Sequence, residues 1–217
     1  QGGDYARVVP PLQKNISRFF LMINRNKRSV TLDLRKEKGR KVFLELAKNA
    51  DVIVESFRPE VIKKLGITYA EIKAVNPGVI YCSITGFGQT GPMKDKAGHD
   101  LNFVGYAGIL KPLPRGNERP SMLNFQLGDI VGGSLNAAMG ILAAIIQQKS
   151  TGEGQYLDVS ILDGLLSHAV VNASSINSAE TVGIDTSNML NGALHCYNLY
   201  RTSDGRYMVL AALEHKF

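Results

Sequence analysis

The sequence predicts an α/β protein: an open, Rossmann-like, mostly parallel sheet with flanking helices. Two apolar runs, "DVIVES" (51–56) and "GVIYCSITGFG" (78–88), lack in/out alternation, which marks strands buried on both faces. Helix-period segments separate such runs in units of about 25–30 residues, the βαβ pattern of a parallel sheet. The chain has 217 residues, 44% apolar and 20% charged, an ordinary globular composition long enough to bury a core.

Residues 1–27 read as irregular, with Pro10, Pro11 and a polar "NRNK" segment. "RSVTLDL" (28–34) alternates and is β-branched, so it reads as a strand. In "RKEKGRKVFLELAKNA" (35–50) Val42, Leu44, Leu46 and Ala47 lie among charges, as in an amphipathic helix. "PEVIKKLGI" (59–67) opens with proline at a helix start and closes near Gly66. "TYAEIKAVNP" (68–77) carries a capping-box spacing, Thr68 with Glu71, and stops at Asn76-Pro77. A helix starting near His99 fits 99–110, and a proline- and charge-rich loop fits 111–122. Residues 128–154 read as a long apolar helix whose glycines and alanines suit close packing on another helix. A strand running into a helix follows (155–177), then a polar linker (178–192) and a β-hairpin (193–213) with Asp204-Gly205 as its turn signal.

The net charge is +6 and the pI about 9.3. A balance of this sign suits nucleic acid, a membrane surface or an anionic small molecule. The densest basic runs, "NRNKRS" and "RKEKGRK", also suit a solvated face, and no nucleic-acid-binding module accompanies them. Two cysteines without a CxxC partner argue against a disulfide framework and fit a reducing cytoplasm. No signal peptide is visible, and the longest apolar run, in "GSLNAAMGILAAII", reads as too short to span a bilayer. The chain opens without methionine on "QGGDYARVVPP" and stops at "LEHKF", so it reads as a fragment of a longer protein.

Ligands of parallel sheets bind outside the carboxyl ends of the strands, which here are "ESFRP" (55–59) and "ITGFGQTGP" (84–92). His99 follows Gly98 at a helix start, where a helix dipole favours the neutral, basic imidazole. Asp100 either orients that ring or caps the helix. From the residues alone, catalysis and capping are equally open for this pair. Asp129 in "LGDIVGG" is a carboxylate among small residues, either the N-cap of the long helix or a group that a bulky ligand can reach. Glu214 follows the apolar run "YMVLAAL" and reads as a site residue or a solvated strand exit. His168, within "LLSHAVV", reads as a satisfied core histidine. No cluster has metal-ligand spacing, and "TGFGQTGP" matches neither a P-loop nor GxGxxG.

Taken in order, "NRNKRSVTLDL", "DVIVESFRPEVIKKLGI", "NPGVIYCSITGFGQTGP", "GHDLNF", "GDIVGGS" and "YRTSDGRYM" followed by "LE" resemble the family III CoA-transferase superfamily over nearly the whole chain. That superfamily includes formyl-CoA transferase, carnitine-type CoA-transferases and α-methylacyl-CoA racemase, and the resemblance is nearest to the racemase-like members. It implies a large CoA-binding α/β domain at 1–178 lacking its first strand–helix unit, a linker at 179–192, and the start of a truncated small domain at 193–217. It also implies an interlocked homodimer when the protein is intact, coenzyme A bound as acyl-CoA substrate, and neither a nucleic-acid nor a membrane partner.

The resemblance makes Asp129 the central aspartate, a nucleophile in the transferases and an acid–base group in the racemases. It makes His99 the racemase histidine, where the transferases carry an aromatic or other residue. Glu214 matches a glutamate supporting that histidine, although racemases follow it with proline and this chain with His215. Asp100 becomes a supporting residue. For CoA the resemblance implies Leu32, Arg35, Ser56, Phe57, Arg58, Lys64, Leu65 and Lys96. Of these, Arg35, Arg58 and Lys64 would meet phosphates and Phe57 the adenine. The basic balance is then explained by an anionic cofactor. With His99, Asp129 and Glu214 all present, racemase chemistry is expected, and CoA transfer through Asp129 is the alternative. A CoA-binding protein without activity is a third.

Overall fold

The computed structural model describes residues 2–110, 122–170, 173, 190, 192 and 194–214. All but the last residue of the expected loop at 111–122, nearly all of the linker and the end of the helix before it lie outside the described residues. The chain divides into two compact units, 1–46 and 47–217.

The first unit corrects two expectations. Residues 1–27 are not irregular throughout. A 3-10 turn (Tyr5–Val8) precedes β1 (Leu12–Gln13) and β2 (Ile16–Ser17), which pair antiparallel, and then α1 (Arg18–Ile23). Ser17 caps α1 by accepting the Phe20 N–H at 3.1 Å, and Arg7 lies 4.2 Å over the Phe20 ring. These elements are too short to leave a periodic signature. Residues 28–34 form no strand, because no other strand pairs with them among the described residues; alternation alone cannot replace a hydrogen-bonded neighbour. The segment ends in a turn where the Asp33 carboxylate accepts the backbone N–H of Arg35 at 3.2 Å and its guanidinium at 2.9 Å. The amphipathic helix α2 (Glu37–Ala47) follows.

The second unit is built on a parallel sheet with strand order β3-β4-β5: β3 (Val52–Glu55), β4 (Ile80–Thr85) and β5 (Tyr156–Ser160). Central β4 is buried along nearly its whole length and was expected so. The matching expectation for β3 is overturned: it is an edge strand with Val54 53% exposed, and only Glu55 is buried. Between β3 and β4 run α3 (Pro59–Leu65), closed by left-handed Gly66 (φ 65°), and α4 (Tyr69–Val75). The Glu71 carboxylate accepts the Thr68 N–H at 2.7 Å, the return half of the capping box. The Asn76 amide donates to the carbonyls of Ala47 and Ala50, both at 2.9 Å, pinning the end of α4 to the start of the β3 segment.

The connection from β4 to β5 contains α5 (Asp100–Tyr106), a π-helical segment (Gly128–Leu135) and α6 (Asn136–Thr151). The π segment and α6 make one 24-residue helix, long and apolar enough by length and composition to cross a membrane. The apolar run was expected to be too short, because Ser134 and Asn136 seemed to interrupt it. Inside the helix their polar groups turn back onto it: Ser134 donates to the Asp129 carbonyl (2.8 Å), and Asn136 to those of Val131 and Gly132 (both 3.0 Å). This helix packs against β4 and β5 and buries Ala137 and Ala144.

After β5 comes α7 (Ile161–His168), capped by Ser160. Close packing comes from glycines. A Cβ on Gly132 would stand 2.4 Å from the Ile161 carbonyl oxygen, and one on Gly164 would stand 2.1 Å from the Gly132 carbonyl oxygen. His168 is not a core histidine. It is exposed on the last turn of α7, and its Nδ1 donates to the Gly164 carbonyl at 2.7 Å. The chain ends in an antiparallel hairpin, β6 (Tyr197–Arg201) and β7 (Tyr207–Ala211), with Gly205 in its turn at φ 81°.

Candidate active site

The carboxyl ends of β3 and β4 open onto a cleft of about 300 Å³. Ser56 and Arg58 line it from the exit of β3, and Ile84, Thr85 and Gly86 from the end of β4. The loop into α5 adds Lys94, Lys96, Ala97, Gly98 and His99. Phe103, Asp129 and Ile161 complete the wall.

Carboxylate contacts fix both strand exits, the first buried and the second exposed. At the first, the Glu55 carboxylate accepts the Phe57 N–H at 2.7 Å and the Ser83 hydroxyl, so the turn at 56–58 is tied to β4. At the second, the Asp158 carboxylate of β5 accepts the Gln89 N–H through both oxygens, at 3.1 and 3.0 Å. The Phe103 ring presses on the backbone between them. A Cβ at Gly86 would lie 2.4 Å from it, and one at Gly98 2.6 Å. Phe87 meets Phe103 edge-on, with centroids 5.3 Å apart.

His99 is the N-cap residue of α5, and its backbone N–H donates to the Asn102 side chain at 3.0 Å. Its exposed side chain borders the cleft and an adjoining cavity of about 260 Å³, whose wall includes Leu101, Val104, Leu110, Met122, Leu123 and Phe125. One imidazole thus stands between a polar space and an apolar one.

Asp129 lies in the first turn of the π segment, a helix form that recurs at functional sites. It is not an N-cap. Its own backbone N–H is taken by the Asp100 carboxylate at 2.9 Å, a link across 29 residues. A Cβ on neighbouring Gly128 would stand 2.9 Å from the same carboxylate oxygen, so a larger residue there would displace the Asp100 side chain. Burial pushes the Asp129 carboxyl above its ordinary range, the Asp100 charge adds to that, and His99 opposes it. By surface area Asp129 is exposed. It stands at the cleft mouth, open toward the ligand space on one side and partly desolvated by the wall behind it.

Ser56, Arg58, Lys96, His99 and Asp129, all singled out in the sequence, line one cleft, with Asp100 bracing Asp129. The other candidates lie elsewhere. Phe57 is 43% exposed, outside the lining. Lys64 and Leu65 occupy the last turn of α3. Leu32 lines a cavity of the first unit together with Arg7, Lys27 and Arg28. The exposed Arg35 side chain is engaged by Asp33. Glu214 is exposed beyond β7 and is not part of the lining. Sequence reading missed Lys94, and it marked the strand end 84–92 without singling out Thr85. Thr85 ends a parallel strand, a position that alone marks a ligand-facing residue; Lys94 carried no such signal.

Parallel strands opening on a cleft lined by three cations, a histidine and a carboxylate define an α/β protein with its charged side chains gathered at the strand ends. The chain belongs to CoA-transferase family III, which matches residues 1–217. It is 35% identical to human alpha-methylacyl-CoA racemase, covering 98% of this chain and 56% of that protein. It is 33% identical to human succinyl-CoA:glutarate CoA-transferase, covering 100% and 49%. Against acetyl-CoA:oxalate CoA-transferase of Acetobacter aceti the identity is 36%, covering 82% and 46%. A crystal structure of a CAIB/BAIF family protein from Brucella suis superposes with a TM-score of 0.83 at 32% identity, over 96% of this chain and 56% of that one. The chain spans about half the length of the curated relatives it matches.

Proposed function

We propose that the whole protein handles acyl-CoA thioesters and inverts the α-carbon of a 2-methylacyl-CoA. The observation that carries this reading is the placement of His99 and Asp129 on one cleft that also holds Arg58, Lys94 and Lys96. The cations meet the phosphates of CoA, and the apolar cavity beside His99 receives the acyl chain. His99 takes the α-proton, the thioester becomes an enolate, and the Asp129 carboxyl returns a proton to the opposite face. The raised carboxyl of Asp129 suits this role, because it holds its proton nearer to neutral pH. In the reverse direction the two groups exchange roles.

A second reading is favoured by the exposure of Asp129 at the cleft mouth and by the transferases among the relatives. The carboxylate attacks the thioester carbonyl and expels CoA thiolate, leaving a mixed anhydride. The thiolate then attacks the aspartyl carbonyl, releasing the donor acid and forming an Asp129–CoA thioester, which an acceptor carboxylate opens.

Incubating the whole protein with a 2-methylacyl-CoA in deuterated water separates the readings. Racemisation places deuterium on the α-carbon, and His99→Ala abolishes that exchange. No exchange, together with a covalent adduct on Asp129 and CoA transfer that survives His99→Ala, makes the protein a transferase.

A further inference from the structure

Thr85 is the last residue of β4 and sits in the lining of the cleft. It is 8% exposed, and its hydroxyl has no hydrogen-bond partner among the described residues. Gln89 Nε2, farther along the same strand exit, is also unpartnered among the described residues, whereas the polar groups that share the face of β4 or its register with Thr85 are bonded. On the same face of β4, the Ser83 hydroxyl donates to Glu55 and the Tyr81 hydroxyl donates to the Ile67 carbonyl at 2.8 Å. Ser160, paired with Thr85 in register on β5, accepts the Asp163 N–H at 3.1 Å. A buried hydroxyl left unpaired costs the fold its desolvation penalty. A valine of the same shape would avoid that cost, so an orphan here signals a partner that arrives with the ligand.

The rest of the wall narrows what the partner is. Charged groups of a ligand have Arg58, Lys94 and Lys96 to meet them, and these lie in more open parts of the lining. Thr85 and Phe103 are its deeply buried members. A neutral hydroxyl at that depth suits an uncharged carbonyl. We infer that the Thr85 hydroxyl is a substrate-binding group: it donates a hydrogen bond to a carbonyl oxygen of the acyl-pantetheine arm, an amide or the thioester itself, as that arm passes the end of β4 between the cations and the His99–Asp129 pair. The inference rests on the acyl-CoA reading and adds to it a residue that holds the neutral arm.

The test compares Thr85→Val, which keeps the shape and removes the hydroxyl, with Thr85→Ser, which keeps the hydroxyl. Both are made in the whole protein and titrated calorimetrically with acetyl-CoA, CoA and 3′,5′-ADP, which lacks the pantetheine arm. Thr85→Val should melt no lower than wild type without ligand. It should bind acetyl-CoA about 3- to 10-fold more weakly, the loss of one neutral hydrogen bond. Its affinity for 3′,5′-ADP should not change, and Thr85→Ser should bind like wild type. A parallel loss with CoA assigns the bond to a pantetheine amide; a loss confined to acetyl-CoA assigns it to the thioester. A lower melting temperature in Thr85→Val overturns the inference, since the hydroxyl is then bonded within the fold. Undiminished acetyl-CoA affinity, or an equal loss with 3′,5′-ADP, overturns it too. Wild-type protein that binds none of the three probes refutes the acyl-CoA reading itself, and this inference with it.

Discussion

The glycines of the long helix give opposite forecasts for one substitution. At Gly132 an alanine methyl would stand 2.4 Å from the Ile161 carbonyl oxygen and 3.0 Å from Leu165 Cγ. Ordinary contact needs about 3.4 Å or more, so the π segment and α7 must part by roughly 1 Å. The obstacle is backbone, so no rotamer change relieves it. Overpacking of this kind costs about 1–3 kcal/mol, and the helix propensity gained from Gly→Ala, at most about 1 kcal/mol, offsets only part. Eight residues on, a methyl at Gly140 would meet only Leu157 Cδ1 at 3.6 Å, an ordinary contact. Gly140→Ala should therefore stabilise by about 0.5–1 kcal/mol. Urea denaturation of the whole protein should show the midpoint falling in Gly132→Ala and rising in Gly140→Ala, with unchanged slopes. Because Asp129 sits one turn before Gly132, a shift of about 1 Å there should also reduce turnover by up to about 100-fold. A Gly132→Ala protein as stable and active as wild type would refute the reasoning, because the close approach of the π segment to α7 would then not exist.

Asp129→Asn should abolish turnover under either chemical reading, and it should also stabilise the fold at neutral pH. The folded carboxyl is raised above its ordinary 3.8, so the native state binds the proton more tightly than the unfolded chain. Stability is therefore lost as pH climbs from the unfolded value through the raised folded one. Melting temperatures at pH 4 and pH 7 should show the advantage of Asn growing with pH, and no growth would contradict the assigned desolvation. Ser83→Ala leaves one buried Glu55 oxygen without its donor, a cost of about 1–3 kcal/mol. It also loosens the turn that carries Ser56 and Arg58. Steady-state kinetics should show KM for the CoA substrate rising with kcat little changed. Cys82 is fully buried, and burial pushes its thiol up to about 11. Mass spectrometry after iodoacetamide at pH 8 should find Cys82 unmodified in the native state and modified once the chain is unfolded.

Much of the fold was legible because its signals are local. Thr68 with Glu71, Pro59 with Gly66, and Asp204-Gly205 each describe a turn or helix end closed within a few residues, and each lies where the sequence put it. The unalternating run at β4 also marked a central strand, since burial on both faces needs apolar residues in both registers. The misreadings concern partners. "RSVTLDL" has the composition of a strand but no neighbour to pair with among the described residues. The run at β3 looks as apolar as β4, yet it stands at an edge and leaves Val54 open.

The candidate site divides in the same way. The sequence by itself determined the class of chemistry, through a histidine at one helix mouth, a carboxylate among glycines at another, and strand ends where parallel sheets bind ligands. It left His99 and Asp129 each divided between a cap and a catalytic group, because both roles place a polar residue at a helix start. Tertiary structure resolved the capping question for Asp129: the helix has its N-cap at Leu127, and Asp129 lies inside it with its N–H bonded to Asp100. Tertiary structure alone brought Lys94 to the cleft and left the Thr85 hydroxyl buried without a partner among the described residues. Chain neighbours do not specify such placements. They follow from how a loop folds back across two strand ends and from how closely Gly132 and Gly164 let two helices approach.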